Sequence, residues 1–180
     1  MNRLLLLTGQ PGVGKTSVLL RVVDALKTKG YDVRGMISRE FREQGTRVGF
    51  EIIDLRTGQK GWLAHVRQSS GPQVGKYRVN LNDLKNIGVN SILNAIKNAD
   101  VIIVDEIGPM ELFSQEFRDA VLQAVNSSKP LLGTIHFRAQ NPIINAIKTR
   151  SDAEILEITI ENRENMHNII INKLLKNLQR

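Results

Sequence analysis

The chain alternates short continuous runs of apolar residues with longer segments in which apolar residues recur every three or four positions. The continuous runs favour strands buried on both faces, and the longer spacing favours amphipathic helices. The predicted strands cover residues 4–7, 33–38, 101–106, 131–135 and 155–160. The predicted helices cover residues 15–29, 82–98, the segment after 114, residues 141–148 and the segment after 163. This alternation predicts an α/β fold with a mainly parallel sheet flanked by helices.

The middle of the chain departs from that alternation. Residues 39–47 are mostly charged around a glycine, which predicts a turn or a mobile loop. Residues 48–66 contain two segments of alternating apolar and polar residues around a glycine-rich stretch, so we predict an antiparallel hairpin added to the sheet edge. Residues 69–75 predict a loop. Gly88 makes the 82–98 segment either one interrupted helix or two short ones.

The composition limits the chemistry that the chain can perform. Its 180 residues include no cysteine, which excludes disulfides, thiolate metal sites and a cysteine nucleophile. Aliphatic residues dominate the 41% hydrophobic fraction and aromatic residues make up 4%, a balance typical of a buried parallel sheet in one domain over residues 1–180. Because no apolar run has the length of a membrane span or a signal peptide, we expect a soluble, cytoplasmic protein. We also expect a monomer rather than an oligomer.

The net charge of +7 is unevenly distributed. Residues 1–100 contain 16 Lys and Arg against 8 Asp and Glu. A basic first half suits phosphate-rich ligands, either nucleotides or nucleic acid. A solvated surface with a cationic bias explains most of these residues without a ligand, so the charge alone leaves nucleic-acid binding open.

The eight residues after the first predicted strand carry the clearest chemical signal. They fill the pattern G-x-x-x-x-G-K-[ST] at every position and predict a phosphate-binding P-loop, although a glycine turn that only joins a strand to a helix is the alternative. Glycines let backbone N–H groups point into one anion-sized hollow, and the following helix adds its positive N-terminal end. We predict that Lys15 contacts the β- and γ-phosphates and that the Thr16 hydroxyl binds Mg²⁺. The residues of the pattern are Gly9, Gln10, Pro11, Gly12, Val13, Gly14, Lys15 and Thr16.

The strand at residues 101–106 ends in two acidic residues, Asp105 and Glu106. In a parallel sheet its carboxyl end lies at the edge where the P-loop also leaves the first strand. Asp105 is therefore predicted to hold Mg²⁺ and Glu106 to orient or deprotonate a water molecule facing the γ-phosphate. His136 follows another strand at this edge, either as a sensor of the γ-phosphate or as a histidine satisfied by its neighbours.

Several segments together resemble the small nucleoside-triphosphatase family of thermophilic microbes, which has a human relative called cancer-related nucleoside-triphosphatase. The most specific segment is Asp105-Glu106-Ile107-Gly108, followed after one residue by Met110-Glu111-Leu112-Phe113-Ser114. The matches keep their order and reach from residue 4 to residue 163. The segments concerned are residues 9–16, 47–50, 74–77, 105–114, 133–135 and 161–163.

The resemblance implies a RecA-like P-loop fold and a Mg²⁺-dependent hydrolysis of ATP, GTP and other nucleoside triphosphates to diphosphate and phosphate, with loose base preference. Pro109 stands where the family usually has lysine, so a role for a basic side chain there does not carry over. The resemblance also implies that the nucleotide contacts the P-loop and a second segment. That second segment comprises Ile102, Ile103, Val104, Asp105, Glu106, Ile107, Gly108 and Pro109.

Three functions are compatible with these motifs. The first is a nucleoside-triphosphate hydrolase in which Glu106 positions the attacking water. The second is a nucleotide or polynucleotide kinase, which needs an acceptor pocket and would use the basic segment at residues 39–47 as a lid. The third is a slow nucleotide-dependent switch whose basic first half binds RNA.

Base recognition and transition-state stabilisation have less specific sequence signals. No stretch resembles the Asn/Thr-Lys-x-Asp element with which GTPases recognise guanine, so we expect all four common nucleotides to be hydrolysed. Asn162 and Arg163 are predicted either to flank the base or ribose, or to act as a helix N-cap and a surface charge. The arginines that could stabilise the transition state are Arg39, Arg42, Arg47 and Arg138.

Overall fold

The structure, a computed structural model that describes residues 1–179, contains one sheet with helices on both faces. The strands in this part of the chain are β1 (Leu4–Thr8), β2 (Val33–Glu43), β3 (Thr46–Asp54), β4 (Lys60–His65), β5 (Gln73–Val74), β6 (Tyr77–Val79), β7 (Val101–Ile107), β8 (Leu131–Ile135) and β9 (Ala153–Glu157). The main helices are α1 (Lys15–Thr28), α2 (Asn90–Asn98), α3 (Gln115–Asn126), α4 (Pro142–Lys148) and α5 (Met166–Leu178).

The strand order is β5-β6-β4-β3-β2-β7-β8-β1-β9. Strands β2, β7, β8, β1 and β9 are parallel, and β3, β4, β6 and β5 extend the sheet in antiparallel fashion. The predicted parallel sheet and the antiparallel hairpin are therefore confirmed. The carboxyl ends of β1, β7 and β8 lie side by side, which is the position where doubly wound sheets bind ligands.

The parallel strands have continuous apolar runs because both of their faces are covered. In β1, Leu4 and Leu6 belong to a core covered by α2, α3 and α4, whereas Leu5 and Leu7 belong to a core covered by α1 and α5. All four leucines are fully buried. Polar chemistry on these strands is thus confined to their ends.

The prediction of a turn or mobile loop at residues 39–47 is wrong. Strand β2 continues to Glu43 and β3 begins at Thr46, so most of the segment is a two-stranded ribbon that turns at Gln44 and Gly45. Both residues of the turn have positive φ, 47° and 79° respectively. The charged residues fit a ribbon because oppositely charged side chains pair across and along it and both of its faces meet solvent in this part.

The helical segment before β7 runs through residues 81–98 without a break. Its central part, Leu84–Val89, is a π-helix. Gly88 packs against β3, where a Cβ atom would lie 2.6 Å from Cδ1 of Ile52. The glycine therefore permits close packing of helix on sheet and does not divide the segment into two helices.

Strand β9 ends three residues before the predicted position. It stops at Glu157, and the backbone N–H of Ile158 still donates to the carbonyl of Thr8 at 2.8 Å. The next N–H, from Thr159, donates to Oδ1 of Asn162 at 2.8 Å, which turns the chain away from the sheet. None of the helices within residues 1–179 is long and apolar enough to cross a membrane.

Asp152 joins the amino end of β1 to the segment that precedes β9. It accepts bonds from Arg3 at 2.6 Å and Arg150 at 2.8 Å, and the bonds from Arg150 and Arg3 lower the pKa of its carboxyl to about 2. A carboxyl whose pKa is lower in the folded state stabilises the fold above its unfolded pKa, and this contribution is lost as the pH falls.

We therefore expect Asp152→Asn to lower the free energy of unfolding by about 1–2 kcal/mol at neutral pH. The difference from the parent protein should shrink below pH ~4 and vanish near pH ~2. Urea unfolding, followed by circular dichroism at a series of pH values, measures this difference in the free energy of unfolding. A difference that stays constant down to pH ~2 would contradict the ionic origin of the effect.

Candidate active site

The predicted P-loop connects the carboxyl end of β1 with the start of α1. Gly9, Gly12 and Gly14 have φ values of 145°, 77° and 107°, which glycine adopts readily. At Gly9 a Cβ atom would lie 2.5 Å from the carbonyl oxygen of Ile158, so a larger residue does not fit. The loop leads directly into α1 and brings the positive end of that helix to the carboxyl edge of the sheet.

Lys15, the first residue of α1, lies across this loop. Its Nζ donates to the carbonyl oxygens of Gly9 at 2.9 Å and Gln10 at 3.3 Å. The ammonium group is therefore held over the loop by two neutral acceptors. Phosphate oxygens bound in the loop would offer charged acceptors at the same place, which adds the attraction of opposite charges to each bond.

Asp105 connects three elements at the carboxyl edge of the sheet. The side chain is only 3% exposed and accepts bonds from Oγ1 of Thr16 at 2.8 Å and Oγ1 of Thr134 at 2.6 Å. Burial raises the pKa of Asp105 to about 6, although both hydroxyl bonds act in the opposite direction. The contact with Thr16 brings together the two residues predicted to hold Mg²⁺, and both offer the oxygen ligands that this ion prefers.

Glu106, the next residue of β7, is half-buried and lines the same cavity as Lys15. Burial raises the pKa of its carboxyl, and the nearby charge of Lys15 lowers it. A Cβ atom on Gly108 would lie 2.5 Å from Oε1 of Glu106 and 3.2 Å from Oε2 of Glu111. The two carboxyl groups therefore both reach the space beside Gly108.

Glu111 is a site residue that sequence reasoning missed. It lies in the 3₁₀ turn Glu111–Phe113, is 3% exposed and lines the cavity. Burial, followed by the charge of Glu106, raises the pKa of Glu111 well above its usual range. The signal that could have identified it is its place in the specific run after Gly108, in which Glu111 is the one acidic residue.

A cavity of about 590 Å³ extends from the P-loop to the β2–β3 ribbon. Its floor is formed by the P-loop and the ends of β7 and β8, and its opposite wall comes from β2, β3 and β4. The resemblance assigned residues 102–109 to contact with the nucleotide. Of these residues, Asp105, Glu106 and Pro109 line the cavity. The other apolar members of that segment are fully buried in the cores and hold the strand in place: Ile102, Ile103, Val104 and Ile107.

His136 and Asn162 hold loops at the sheet edge. Nδ1 of His136 accepts the backbone N–H of Ala139 at 3.0 Å, and burial lowers the pKa of the imidazole. The histidine is thus satisfied by its neighbours, although it also lines the cavity. Asn162 bonds to the backbone of Thr159 and Glu157, and it is not the N-cap of α5, which is Asn165.

Arg163 lies beside the P-loop, and its Nη1 donates to the carbonyl of Val13 at 3.2 Å. The four arginines considered for the transition state differ in their partners. Within residues 1–179, the guanidinium of Arg39 pairs with Glu51, and those of Arg42 and Arg47 pair with Glu40. The guanidinium of Arg138 has no ion pair or hydrogen bond in that part of the chain, and it lies over the ring of Phe137 at 5.6 Å.

Comparisons with known proteins agree with this geometry. The model of a family described as NTPase matches residues 4–171. The Nucleoside-triphosphatase THEP1 of Thermofilum pendens is 46% identical over 160 residues, 88% of each chain. The protein of the same name from Methanocaldococcus jannaschii is 43% identical over 173 residues, which cover 96% of this chain and 98% of the relative.

Two solved structures have the same fold. The crystal structure of THEP1 from Aquifex aeolicus superimposes with a TM-score of 0.83 at 32% identity and covers 95% of this chain and 98% of its own. The solution structure of a human cancer-related nucleoside triphosphatase gives a TM-score of 0.81 at 32% identity, with 98% of both chains covered. The resemblance inferred from the motifs is thereby confirmed, and the chain belongs to the NTPase family.

Proposed function

We propose that this protein hydrolyses nucleoside triphosphates to nucleoside diphosphate and phosphate in a Mg²⁺-dependent reaction. The observation that carries the proposal is the position of Asp105. Its carboxyl is bonded to Thr16 at the end of the P-loop and is followed directly by Glu106 in the cavity wall. A phosphate cradle, a metal-binding pair and a general base therefore lie at one edge of the sheet.

The cradle binds the triphosphate through backbone N–H groups of the P-loop and through Lys15. Lys15 exchanges its bonds to the carbonyls of Gly9 and Gln10 for bonds to the β- and γ-phosphate oxygens. Thr16 and Asp105 would hold Mg²⁺, which would supply positive charge against the negative charge that develops on the phosphate oxygens. Positioning and electrostatic stabilisation supply most of the catalysis in this class of reaction.

Glu106 is the proposed general base. Water attacks the γ-phosphorus, its proton passes to the Glu106 carboxylate, and the bond from phosphorus to the β–γ bridging oxygen breaks, so that this oxygen leaves with the diphosphate. Burial raises the pKa of Glu106, which makes its carboxylate a stronger proton acceptor than an exposed one. Burial and the charge of Glu106 raise the pKa of the neighbouring Glu111 well above its usual range, so its carboxyl favours the neutral form more than an exposed carboxyl does.

We expect the enzyme to use ATP, GTP, CTP and UTP with kcat/KM values within about one order of magnitude, roughly 1.4 kcal/mol. The physical reason is that recognition concentrates on the triphosphate, and the sequence lacks a guanine-reading element. Phosphate release from each nucleotide at equal Mg²⁺ concentration measures the spread and also tests the proposed activity. A thousandfold preference for one base would contradict this prediction.

We assign Arg138 to the γ-phosphoryl group because the other three candidate arginines already pair with carboxylates. It lies at the cavity with its guanidinium unengaged by any carboxylate of residues 1–179, whereas Arg39, Arg42 and Arg47 are paired in the ribbon. We expect Arg138→Ala to lower kcat about tenfold, less than the loss of a buried donor because Arg138 is exposed to solvent.

The matched controls for Arg138 are Arg39→Ala, Arg42→Ala and Arg47→Ala, measured by steady-state phosphate release under the same conditions. Each should change kcat less than Arg138→Ala does. If one of the ribbon variants lost more activity than Arg138→Ala, that arginine would take over the assigned role.

A further inference from the structure

The cavity extends well beyond the phosphate cradle. It measures about 590 Å³, within the range of sites for organic ligands, and its lining reaches from the P-loop to the ribbon. The polarity of a P-loop places the γ-phosphate near Lys15, Asp105 and Glu106. The space beyond Glu106, towards the ribbon, therefore lies past the γ-phosphate end of a bound nucleotide.

The nucleoside end of the nucleotide extends from the cradle in a different direction. A second cavity of about 150 Å³ meets the first at Gly14 and Ser17 and is bordered by Arg21 and Arg163. Ser17 follows Thr16 on α1, and no residue of β7 or of the ribbon lines this second cavity. With the γ-phosphate beside Asp105 and Glu106, the nucleoside end of a bound triphosphate points away from them, towards this second cavity, and leaves the far part of the larger one unfilled.

The walls of that far part combine apolar side chains with the charged residues of the ribbon. The apolar side chains come from β3, β4, β5, the turn after β7 and the segment after β8. Phe50 is fixed edge-on against Tyr77 with ring centroids 5.2 Å apart, which keeps its side chain in a defined position. The apolar lining residues are Phe50, Leu63, Val74, Met110 and Phe137.

The charges in the ribbon wall compensate one another. Arg47 pairs with Glu40 at 2.7 Å, and Arg39 pairs with Glu51 at 2.6 Å. A ligand in this part therefore meets no excess of positive charge from the ribbon, which disfavours a polyanion such as RNA and suits a neutral molecule. The polar group that faces such a ligand at the phosphate end is the carboxylate of Glu106, an acceptor for a hydroxyl proton.

We propose that the far part of the cavity binds a second small molecule, a neutral alcohol with an apolar body, whose hydroxyl replaces water as acceptor of the γ-phosphoryl group. This inference rests on the proposed function, because the same cradle and base serve both reactions. The alcohol oxygen forms a bond to the γ-phosphorus, and the bond to the bridging oxygen breaks. The hydroxyl proton goes to Glu106, and the products are a phosphate monoester and the nucleoside diphosphate.

The test measures how the γ-phosphoryl group is divided between alcohol and water. The full chain is incubated with [γ-³²P]ATP, Mg²⁺ and one probe alcohol, and the labelled monoester and phosphate are separated by thin-layer chromatography. The apolar probes are benzyl alcohol, cyclohexylmethanol and geraniol, and glycerol is the polar control. Since an apolar group in a fitted pocket is worth about 10- to 200-fold in discrimination, at least one apolar probe should give an ester-to-phosphate ratio about tenfold above that of glycerol.

Variants of the wall show whether the ester arises in this cavity. Val74→Asp places a charge among the apolar side chains. Phe50→Ala removes an aromatic ring from the wall without adding a charge. Either change should lower the ester-to-phosphate ratio with the best apolar probe about tenfold. Val48→Asp is the matched control, because Val48 is also half-buried, lies on β3 and does not line the cavity. Benzyl methyl ether, which lacks the hydroxyl, should suppress ester formation from benzyl alcohol.

The outcomes separate this inference from the proposed function. Phosphate release without ester from any apolar probe overturns the acceptor site and leaves the hydrolase intact. An ester-to-phosphate ratio equal to that of glycerol, or one unaffected by both wall variants, also overturns it. If neither phosphate nor ester forms in the presence of Mg²⁺, the proposed function fails together with the acceptor site.

Discussion

Phosphate release from ATP is expected to fall below about one hundredth of the parent rate when Lys15 is replaced by alanine. The substitution removes the one point charge that can move from the carbonyls of Gly9 and Gln10 to the β- and γ-phosphate oxygens. The backbone of the cradle and the buried strand beneath it remain. Steady-state phosphate release gives the rate, and competition with a fluorescent nucleotide shows the expected weaker binding of triphosphate.

Lys27→Ala is the control for this result. Lys27 lies on the same helix, in its last turn, and is exposed to solvent. Its loss should leave kcat and nucleotide affinity close to those of the parent protein. Near-parental phosphate release by Lys15→Ala would mean that the P-loop assignment is wrong, whatever the control shows.

Glu106→Gln should separate binding from chemistry. Glutamine keeps the size and polarity of the side chain but accepts a proton poorly, and loss of such a base slows reactions by about 10²- to 10⁴-fold. ATP and Mg²⁺ should still bind, because the cradle, Thr16 and Asp105 are unchanged. Single-turnover phosphate release together with calorimetric nucleotide binding measures both properties on one preparation.

The neighbouring acid should respond differently. Asp105→Asn keeps the shape of the side chain and one oxygen that can accept one of the two bonds from Thr16 and Thr134, but it removes the charge that attracts Mg²⁺. Its main effect should be a higher Mg²⁺ concentration for half-maximal rate. Glu116→Gln, on the surface of α3, serves as a carboxylate control outside the cavity. Parental turnover by Glu106→Gln would move the role of base to another residue and favour the kinase or switch alternatives.

The cradle and its acidic strand can be predicted from the sequence because their signals are local. The P-loop occupies eight consecutive residues, and Asp105 and Glu106 follow directly on a buried apolar run. The sequence places Thr134 near the same edge but does not reveal its bond to Asp105, since the partner comes from another strand. Glu111 escapes prediction because a carboxyl in a turn is normally exposed, whereas this one is buried and lines the cavity.

The ribbon shows a different limit of sequence reasoning. Charged residues around a glycine are typical of loops, and the signal for a strand weakens when no face is buried. Arg39, Glu40 and Arg47 instead stabilise the ribbon by pairing across and along it. These pairs also underlie our proposal that Arg138 serves the γ-phosphoryl group, which the sequence does not predict because it depends on distances between side chains of different strands.

The most direct test of water attack on the γ-phosphorus in this cradle is hydrolysis of ATP in H₂¹⁸O with Mg²⁺, followed by mass spectrometry of both products under single-turnover conditions. We expect one ¹⁸O atom in each phosphate released, none in ADP, and no phosphate when EDTA removes the metal. Label in ADP, or a release of phosphate that persists unchanged in EDTA and in Lys15→Ala, would contradict this mechanism.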